Sequence, residues 1–369
     1  MVENHSDTTV IVGMSGGVDS SVAAALLLEQ GYRVIGVTMK TYAFDEVGGN
    51  IGNETSCCGL DAINDARMVA AKLGIPHYVL DFTEQFRREV INNFIEEYIH
   101  GRTPNPCVIC NREIKWGELI QKAEALGADF LATGHYARVR FDESRNRYII
   151  SRAKYASKDQ SYALWGLSQH AISKTIFPLG RLTKPEVRKI AEELGLKTAA
   201  KQESYEICFV ADDNYERFLM EQVPNLKAGV VGGDLVFDGK VVGKHRGFPF
   251  YTIGQRRGMG AFGERAYVTR IDSETNTIYV GRESDLMHRG LIASNVNLIA
   301  LEGLREPLRV TAKVRYKDTL SFATLNPEGD GKIRVVFDEP KRAITPGQSV
   351  VFYDGDDVVG GGVIDTVIA

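Results

Sequence analysis

The sequence predicts an α/β protein: a parallel-sheet domain first, then two small β-rich domains, the last barrel-like. Three observations carry this. Short apolar runs alternate with amphipathic stretches through the first half. Helical periodicity nearly vanishes after about Tyr215, and short alternating runs bounded by Gly and Pro continue to the C-terminus. A chain of 369 residues has room for this division, at roughly 100–200 residues per domain. The expected boundaries are 1–213, 214–284 and 285–369.

The elements follow in order. Thr9 to Gly13 reads as a buried strand, and Val18 to Gln30 as a helix ending at Gly31. Arg33 to Met39 is a second strand, Leu60 to Leu73 a second helix, and Ile75 to Leu80 a third strand. Helices are expected over Glu84 to Ile99 and Glu113 to Leu126, with a strand over Ala128 to Thr133. Strands alternating with helices of this length predict βαβ units and a sheet covered on both faces. Beyond a short helical stretch at Asn214 to Val223, strands are expected at Gly229 to Phe237, Lys240 to Gly243, Arg265 to Ile271 and Thr277 to Val280. A further β block from about Leu291 has strands near Arg309 to Tyr316, Lys332 to Phe337, Ser349 to Tyr353 and Val358 to Ile364.

Composition narrows the function classes. Hydrophobic residues make up 44% and charged residues 25%, the range of an ordinary globular chain. A formal charge of −4 excludes a uniformly basic nucleic-acid surface, but not local basic faces. Arg138 to Lys158 holds seven basic residues against two acidic ones, and Lys240 to Arg270 holds seven against Glu264 alone. Such segments suit a phosphate backbone. Five cysteines in a chain of this length do not make a secreted disulfide scaffold. The N-terminus lacks a signal pattern, and no apolar run approaches the roughly 20 residues that span a bilayer. A soluble, cytoplasmic protein without a membrane partner is expected.

The sharpest motif is Gly13-Met14-Ser15-Gly16-Gly17-Val18-Asp19-Ser20-Ser21, between the first strand and the first helix. Small residues let backbone approach a phosphate, the serines add hydroxyl donors, and the helix N-terminus adds partial positive charge. Asp19 could hold a magnesium ion against the phosphates. No lysine follows at the GxxxxGK[ST] spacing. Gly258 to Gly263 matches GxGxxG, but a strand pattern follows where a dinucleotide fingerprint needs a helix.

The cysteines form the second constellation. In Gly101 to Trp116 (GRTPNPCVICNREIKW), Pro104 and Pro106 stiffen a loop before Cys107 and Cys110, which precede the predicted helix. A helix N-terminus with Arg112 and Lys115 nearby favours thiolate; a structural CxxC is the alternative. Cys208 alone would read as a small buried hydrophobe. The adjacent pair Cys57 and Cys58 suits a structural or loop role, with sulfur relay as the alternative.

The loop at Gly13 to Ser21 resembles the PP-loop of the ATP pyrophosphatases, whose domains are adenine nucleotide alpha hydrolase-like. Those enzymes cleave ATP between the α and β phosphates and adenylate a substrate oxygen. Further stretches occur in order: Gly101 to Trp116, Ala132 to Arg138 (ATGHYAR), Lys158 to Leu164 (KDQSYAL), the ICF around Cys208, Tyr251 to Gly258 (YTIGQRRG) and Val314 to Tyr316. Together, from about Thr9 to Ile364, the chain is similar to the tRNA-specific 2-thiouridylases.

This resemblance implies an ATP-dependent tRNA-uridine 2-sulfurtransferase with Mg2+, acting on the wobble uridine in the tRNA anticodon region. A sulfur-donor protein or sulfide source would supply the sulfur. It implies that Gly13, Met14, Ser15, Gly16, Gly17, Val18, Asp19 and Ser20 hold the ATP phosphates, with Met39 and Gly134 at the nucleotide. Asn105, Pro106 and Cys107 would face the target base. Cys110 would be the nucleophilic thiol, and Cys208 would carry the persulfide. His135, Lys158, Asp159, Gln160, Arg315, Tyr316 and Gln348 would contact tRNA. One departure stands out: many members read NPDxxC, with Asp where this chain has Cys107. A thiol titrates far above a carboxylate and is no simple acid/base substitute. Cys107, Cys110 and Cys208 could instead hold three irons of a [4Fe–4S] cluster, leaving one iron open for sulfide. Two other readings stay open. One is a PP-loop adenylating enzyme for another tRNA base or a small molecule. The other is a non-catalytic ATP- or tRNA-binding protein.

Overall fold

The computed structural model describes residues 5–42, 60–201, 207–210, 212, 214–260 and 262–368. Cys57 and Cys58 lie outside the described residues. The chain divides into two compact units. The first comprises Met1–Val90, Cys107–Asp213 and Asp356–Val358; the second comprises Ile91–Pro106, Asn214–Gly355 and Val359–Ala369.

In the first unit, β1 (Thr9–Gly13) leads into α1 (Val18–Glu29), then β2 (Arg33–Lys40), α2 (Leu60–Leu73) and β3 (His77–Asp81). The Ala- and Leu-rich α1 uses strong helix formers. It stops because Gly31 takes a φ of +84°, its N–H returning to Leu28 O. After β3 a helical run starts as α3 (Thr83–Phe86) and continues through a π-helical segment, Arg87–Ile91, into α4 (Asn92–Ile99).

A second helical run starts at α5 (Pro106–Ile109), continues as a π-helix over Cys110–Leu119 and ends as α6 (Ile120–Ala125). The predicted start at Glu113 is therefore corrected: Cys107 and Cys110 lie within the helix, not before it. Proline has no N–H to lose and a φ already set for a first helical position, so Pro106 starts the run early.

Then come β4 (Phe130–Thr133), β5 (Ala137–Asp142), β6 (Arg147–Arg152), α7 (Gln169–Ser173), β7 (Thr175–Ile176) and α8 (Lys184–Glu193). The sheet is parallel, in the order β3-β2-β1-β4-β7. Its order reverses between β1 and β4, and beyond the C-terminal ends of such a pair open α/β sheets bind their ligands. Val10 and Val12 of β1, Val22 and Leu27 of α1, Val69 of α2, Ala132 of β4 and Val187 of α8 share one buried core. The β5–β6 hairpin was not predicted. It turns at Asn146, whose φ is +49°, and charges on both strands mask its alternation.

The second unit adds α9 (Tyr215–Gln222), α10 (Leu226–Val230) and the strands β8 (Asp234–Phe237), β9 (Lys240–Lys244), β10 (Tyr267–Asp272) and β11 (Thr277–Gly281). These strands form a four-stranded sheet ordered β10-β11-β8-β9. Asn214 caps α9 by accepting the Arg217 N–H. The last strands are β12 (Met287–Leu298), β13 (Leu308–Lys313), β14 (Ser321–Gly329), β15 (Lys332–Arg342), β16 (Ser349–Asp354) and β17 (Asp357–Ile368). They close a six-stranded barrel, β12-β15-β14-β13-β16-β17, because β12 also pairs with β17. Leu291, Val310, Leu325, Val335, Phe352 and Ile364 fill its core. β14 was missed because Pro327 argues against a strand; the structure accommodates it at a register shift.

Candidate functional site: a glycine loop at the sheet switch point

The loop after β1 closes on itself through serine hydroxyls. Ser15 N–H donates to Ser20 Oγ at 3.2 Å, Ser20 Oγ donates to Gly17 O at 3.2 Å, and Ser21 Oγ donates to Gly17 O at 2.8 Å. Gly16 has a φ of +66°, and a Cβ there would sit 2.2 Å from Ala62 O on α2. Gly17 is the N-cap of α1 and supplies no side-chain cap. The first N–H groups of a twelve-residue helix are thus left for an acceptor from outside.

The side chains of Met14 and Val18 are buried, with Met14 packed beneath Gly36. These two residues therefore offer backbone, not side chain, to a ligand. Thr38 Oγ1 fixes the loop from below by donating to Met14 O at 2.8 Å. Gly134, just beyond β4, abuts the start of α1: a Cβ there would lie 2.7 Å from Ser20 N. Met39 lies half-buried near the end of β2, at the same C-terminal end of the parallel sheet from which the loop leaves β1.

Asp19 is engaged from two sides. Tyr136 Oη donates to its Oδ1 at 2.7 Å, and Lys184 Nζ reaches both carboxylate oxygens at 2.7 and 2.8 Å. Sequence reading missed Lys184. The available signal is its position: it is the first residue of α8, behind the Thr183 N-cap, where the helix dipole disfavours a cation. Lys201, also missed, ties the loop to α2, with Nζ 2.6 Å from Asp65 Oδ2 and 3.3 Å from Gly16 O.

Residues expected at tRNA fall into different surroundings. His135 hydrogen-bonds Thr133 Oγ1 through Nδ1 at 2.7 Å, between Trp116 and Phe177. Burial, aided by the charge of Lys115, drives its pKa well below the usual histidine value, so it is a neutral ring. Asp159 turns inward and accepts from Ala153 N–H at 2.9 Å and Ser161 Oγ at 3.0 Å. Gln160 Oε1 accepts from Tyr136 N–H at 2.9 Å, while the neighbouring Lys158 is half-buried. In the second unit, Arg315 and Tyr316 form a turn closed by Asp318, which accepts the Val314 N–H at 3.1 Å. Lys341 pairs with Asp318 at 2.9 Å, both side chains under a tenth exposed. Gln348 donates to the carbonyls of Thr103 and Pro104, in the loop that carries Asn105 and Pro106.

Cys107 is exposed on α5, Cys110 is half-buried at the start of the π-helical segment, and Cys208 is half-buried; all three are thiols. The Tyr42 hydroxyl donates to Cys208 O at 2.8 Å, and Phe209 packs edge-on to Phe86. Among the described residues no three His, Cys, Asp or Glu side chains gather to hold a metal ion.

At least three of the seven basic residues of the segment Arg138 to Lys158 are paired with acids, some local and some near the C-terminus. Arg138 pairs with Asp356, Arg140 with Asp142 and Asp357, and Arg152 with Asp159. In the second segment Lys244 and Arg246 are paired with Asp234 and Glu216. Arg256, Arg257 and Arg265 are exposed, with no ion pair among the described residues.

A parallel sheet with an uncapped glycine-loop helix at its switch point defines a nucleotide-binding protein of the PP-loop class. Comparison with known proteins narrows this. The family described as tRNA methyl transferase HUP domain matches residues 8–212; the tRNA methyl transferase PRC-barrel domain matches 216–282, and the aminomethyltransferase beta-barrel domain 288–364. A tRNA-specific 2-thiouridylase MnmA of Salinibacter ruber is 52% identical, over 97% of this chain and 94% of that protein. One of Pelotomaculum thermopropionicum is 52% identical over 97% and 98%, and one of Acetivibrio thermocellus 50% over 97% and 99%. The chain belongs to the tRNA-specific 2-thiouridylase family.

Proposed function

We propose that the chain is an ATP-dependent tRNA 2-thiolase acting on the wobble uridine, in the cytoplasm. The uncapped N-terminus of α1 beneath the Gly13–Ser20 loop carries this reading, in a chain half identical to 2-thiouridylases. The phosphates of ATP lie over the loop, on backbone N–H groups and the hydroxyls of Ser15 and Ser20. Gly134 leaves the close approach open, and Met39 flanks the adenine. Mg2+, bound by Asp19 and phosphate oxygens, would neutralise charge on the departing pyrophosphate; magnesium needs few protein ligands.

The wobble uridine leaves its stack to meet Asn105, Pro106 and Cys107. Its C2 oxygen attacks the α phosphorus and pyrophosphate departs, which turns a poor oxygen leaving group into AMP. The outer sulfur of a persulfide on Cys208 then attacks C2, and AMP leaves with the C2–oxygen bonding pair. The Cys110 thiolate attacks the bridging Cys208 sulfur, which frees 2-thiouridine and leaves a Cys110–Cys208 disulfide for an external thiol to reduce. A sulfur-donor protein that carries a persulfide restores the Cys208 persulfide by passing its outer sulfur to the Cys208 thiolate, its own thiolate leaving; a sulfide source does so by attacking Cys208 in the unreduced disulfide, with Cys110 leaving as thiolate. A start of α5 at Pro106 puts Cys107 in the first helical turn, where a thiol favours thiolate, with Cys110 at the start of the next segment. Lys158, Arg315 and Tyr316 are proposed tRNA contacts, with His135 and Gln160 as neutral groups. The proposed domains are 1–213, 214–284 and 285–369.

The test is pyrophosphate release and 2-thiouridine formation with tRNA, ATP and a persulfide donor. Turnover of a small substrate at the same rate without tRNA would overturn the reading. Full thiolation by Cys110→Ala or Cys208→Ala would refute the cysteine assignments.

A further inference from the structure

The loop leading to the cysteines is fastened by residues some 240 positions later. Thr103 N–H donates to Pro346 O at 2.9 Å. Gln348 Nε2 donates to Thr103 O at 3.1 Å and to Pro104 O at 2.9 Å. Two carbonyls facing one terminal group fix that group as the amide nitrogen, because an oxygen there would be repelled. Both N–H donors of the Gln348 amide are thereby engaged with loop backbone.

The turn that presents Gln348 is shaped for this contact. Gly347 has a φ of +89°, and a Cβ on it would lie 2.6 Å from Glu97 Oε2 and 2.8 Å from Thr103 O. Gln348 O accepts from Ile364 N–H at 2.8 Å, and Gly347 N–H donates to Ile364 O at 2.9 Å, so the barrel strand β17 holds the turn. On the other side of the loop, Arg102 Nε donates to Glu97 at 2.8 Å and its guanidinium reaches Ile364 O at 3.2 Å. All these residues belong to the second unit.

We propose that Gln348, seated by Gly347 and backed by Arg102, is a positioning residue that fixes the Thr103–Asn105 loop for reaction at the target base. The inference rests on the thiolation reading for its kinetic consequence only. Losing two backbone-directed hydrogen bonds should leave the loop sampling several geometries, which slows the chemical step without weakening the surfaces that hold RNA.

The experiment compares the full chain with Gln348→Ala and Arg102→Lys. It measures the tRNA Kd, single-turnover 2-thiouridine formation at saturating tRNA, and amide exchange of Thr103. Gln348→Ala is expected to slow the saturated rate by about tenfold. Its tRNA Kd should stay within about twofold, and Thr103 exchange should rise about tenfold. Arg102→Lys should likewise slow the saturated rate and raise Thr103 exchange, with the tRNA Kd again within about twofold. Unchanged exchange in β13 and β14 distinguishes a loosened loop from a damaged barrel. A weakened Kd with the saturated rate and Thr103 exchange unchanged would overturn the proposal in favour of direct RNA contact. So would Thr103 exchange that stays at the wild-type level in both variants. If the wild-type chain forms no 2-thiouridine, the thiolation reading fails, while Thr103 exchange still decides the brace.

Discussion

Gly134 shows how little room single residues leave at the proposed nucleotide site. A methyl group there would press on the backbone of Asp19 and Ser20, which cannot rotate away. Overpacking of this kind costs about 1–3 kcal/mol. Gly134→Ala should therefore lower ATP affinity about tenfold or more, read by isothermal titration calorimetry. Lys184 presents the converse case. Lys184→Met leaves the Asp19 carboxylate with Tyr136 alone, and losing hydrogen bonds to a charged group costs about 1.5–3 kcal/mol. The expected result is a lower Tm together with slower pyrophosphate release, whereas Lys184→Arg keeps much of both. His135 adds a pH dependence. Its native pKa lies well below 6.5, so below about that pH the unfolded chain takes up a proton that the native chain does not. Stability should fall as pH drops through this range, and His135→Gln should flatten the curve in urea titrations. The glycine loop was legible in sequence because spacing between a strand and a helix is local information. Lys184 was not, since its partner lies 165 positions away.

Elements repeat the pattern. Strands β1 and β2 and helix α1 follow directly from continuous apolar runs, because they are buried on more than one face, and α2 from its helical periodicity. The β5–β6 hairpin escaped because arginines on its strands meet Asp356 and Asp357, whose approach no local pattern reveals. The early start at Pro106 moves both cysteines of the CxxC pair into a helix, which periodicity placed in a loop. The turn carrying Arg315 and Tyr316 depends on the buried Lys341–Asp318 pair. Breaking such a pair strands a charge and costs about 3–5 kcal/mol. Lys341→Met should reduce stability in urea by that order and weaken tRNA binding through the loosened turn. Unchanged tRNA affinity would separate Arg315 and Tyr316 from RNA recognition.

Across the whole molecule, charge counted along the sequence misstates charge available to a partner. The two basic segments look alike in composition. In the first, Arg138 and Arg140 are paired with acids near the C-terminus, whereas the second leaves Arg256, Arg257 and Arg265 exposed. Each phosphate neutralised contributes about 0.7–0.9 to the slope of log affinity against log salt. Replacing all three arginines with Gln should reduce that slope for tRNA by about 2–3. Arg138→Gln with Arg140→Gln should alter it far less. Equal effects from the two sets, in binding titrations at several salt concentrations, would refute the distinction. Architecture was readable as α/β followed by β-rich parts because periodicity switches once. The assignment of Ile91–Pro106 to the second unit was not, since it depends on Phe94 meeting Phe218 and Tyr98 stacking on Tyr215.

That assignment bears on how the chain is made. A ribosome releases residues 91–106 long before Phe218, Pro346 and Gln348 exist, so the segment emerges without the surfaces that cover it. The first unit waits as well, because Asp356 and Asp357 come almost last. Neither unit can reach its final form from the N-terminus forward, and contacts of such long range make for slow folding. Premature termination between the hairpin and about Asp356 would leave arginines of the hairpin without their counter-charges, and termination before about Phe218 would also leave an apolar helix face exposed, as a substrate for chaperones or proteases.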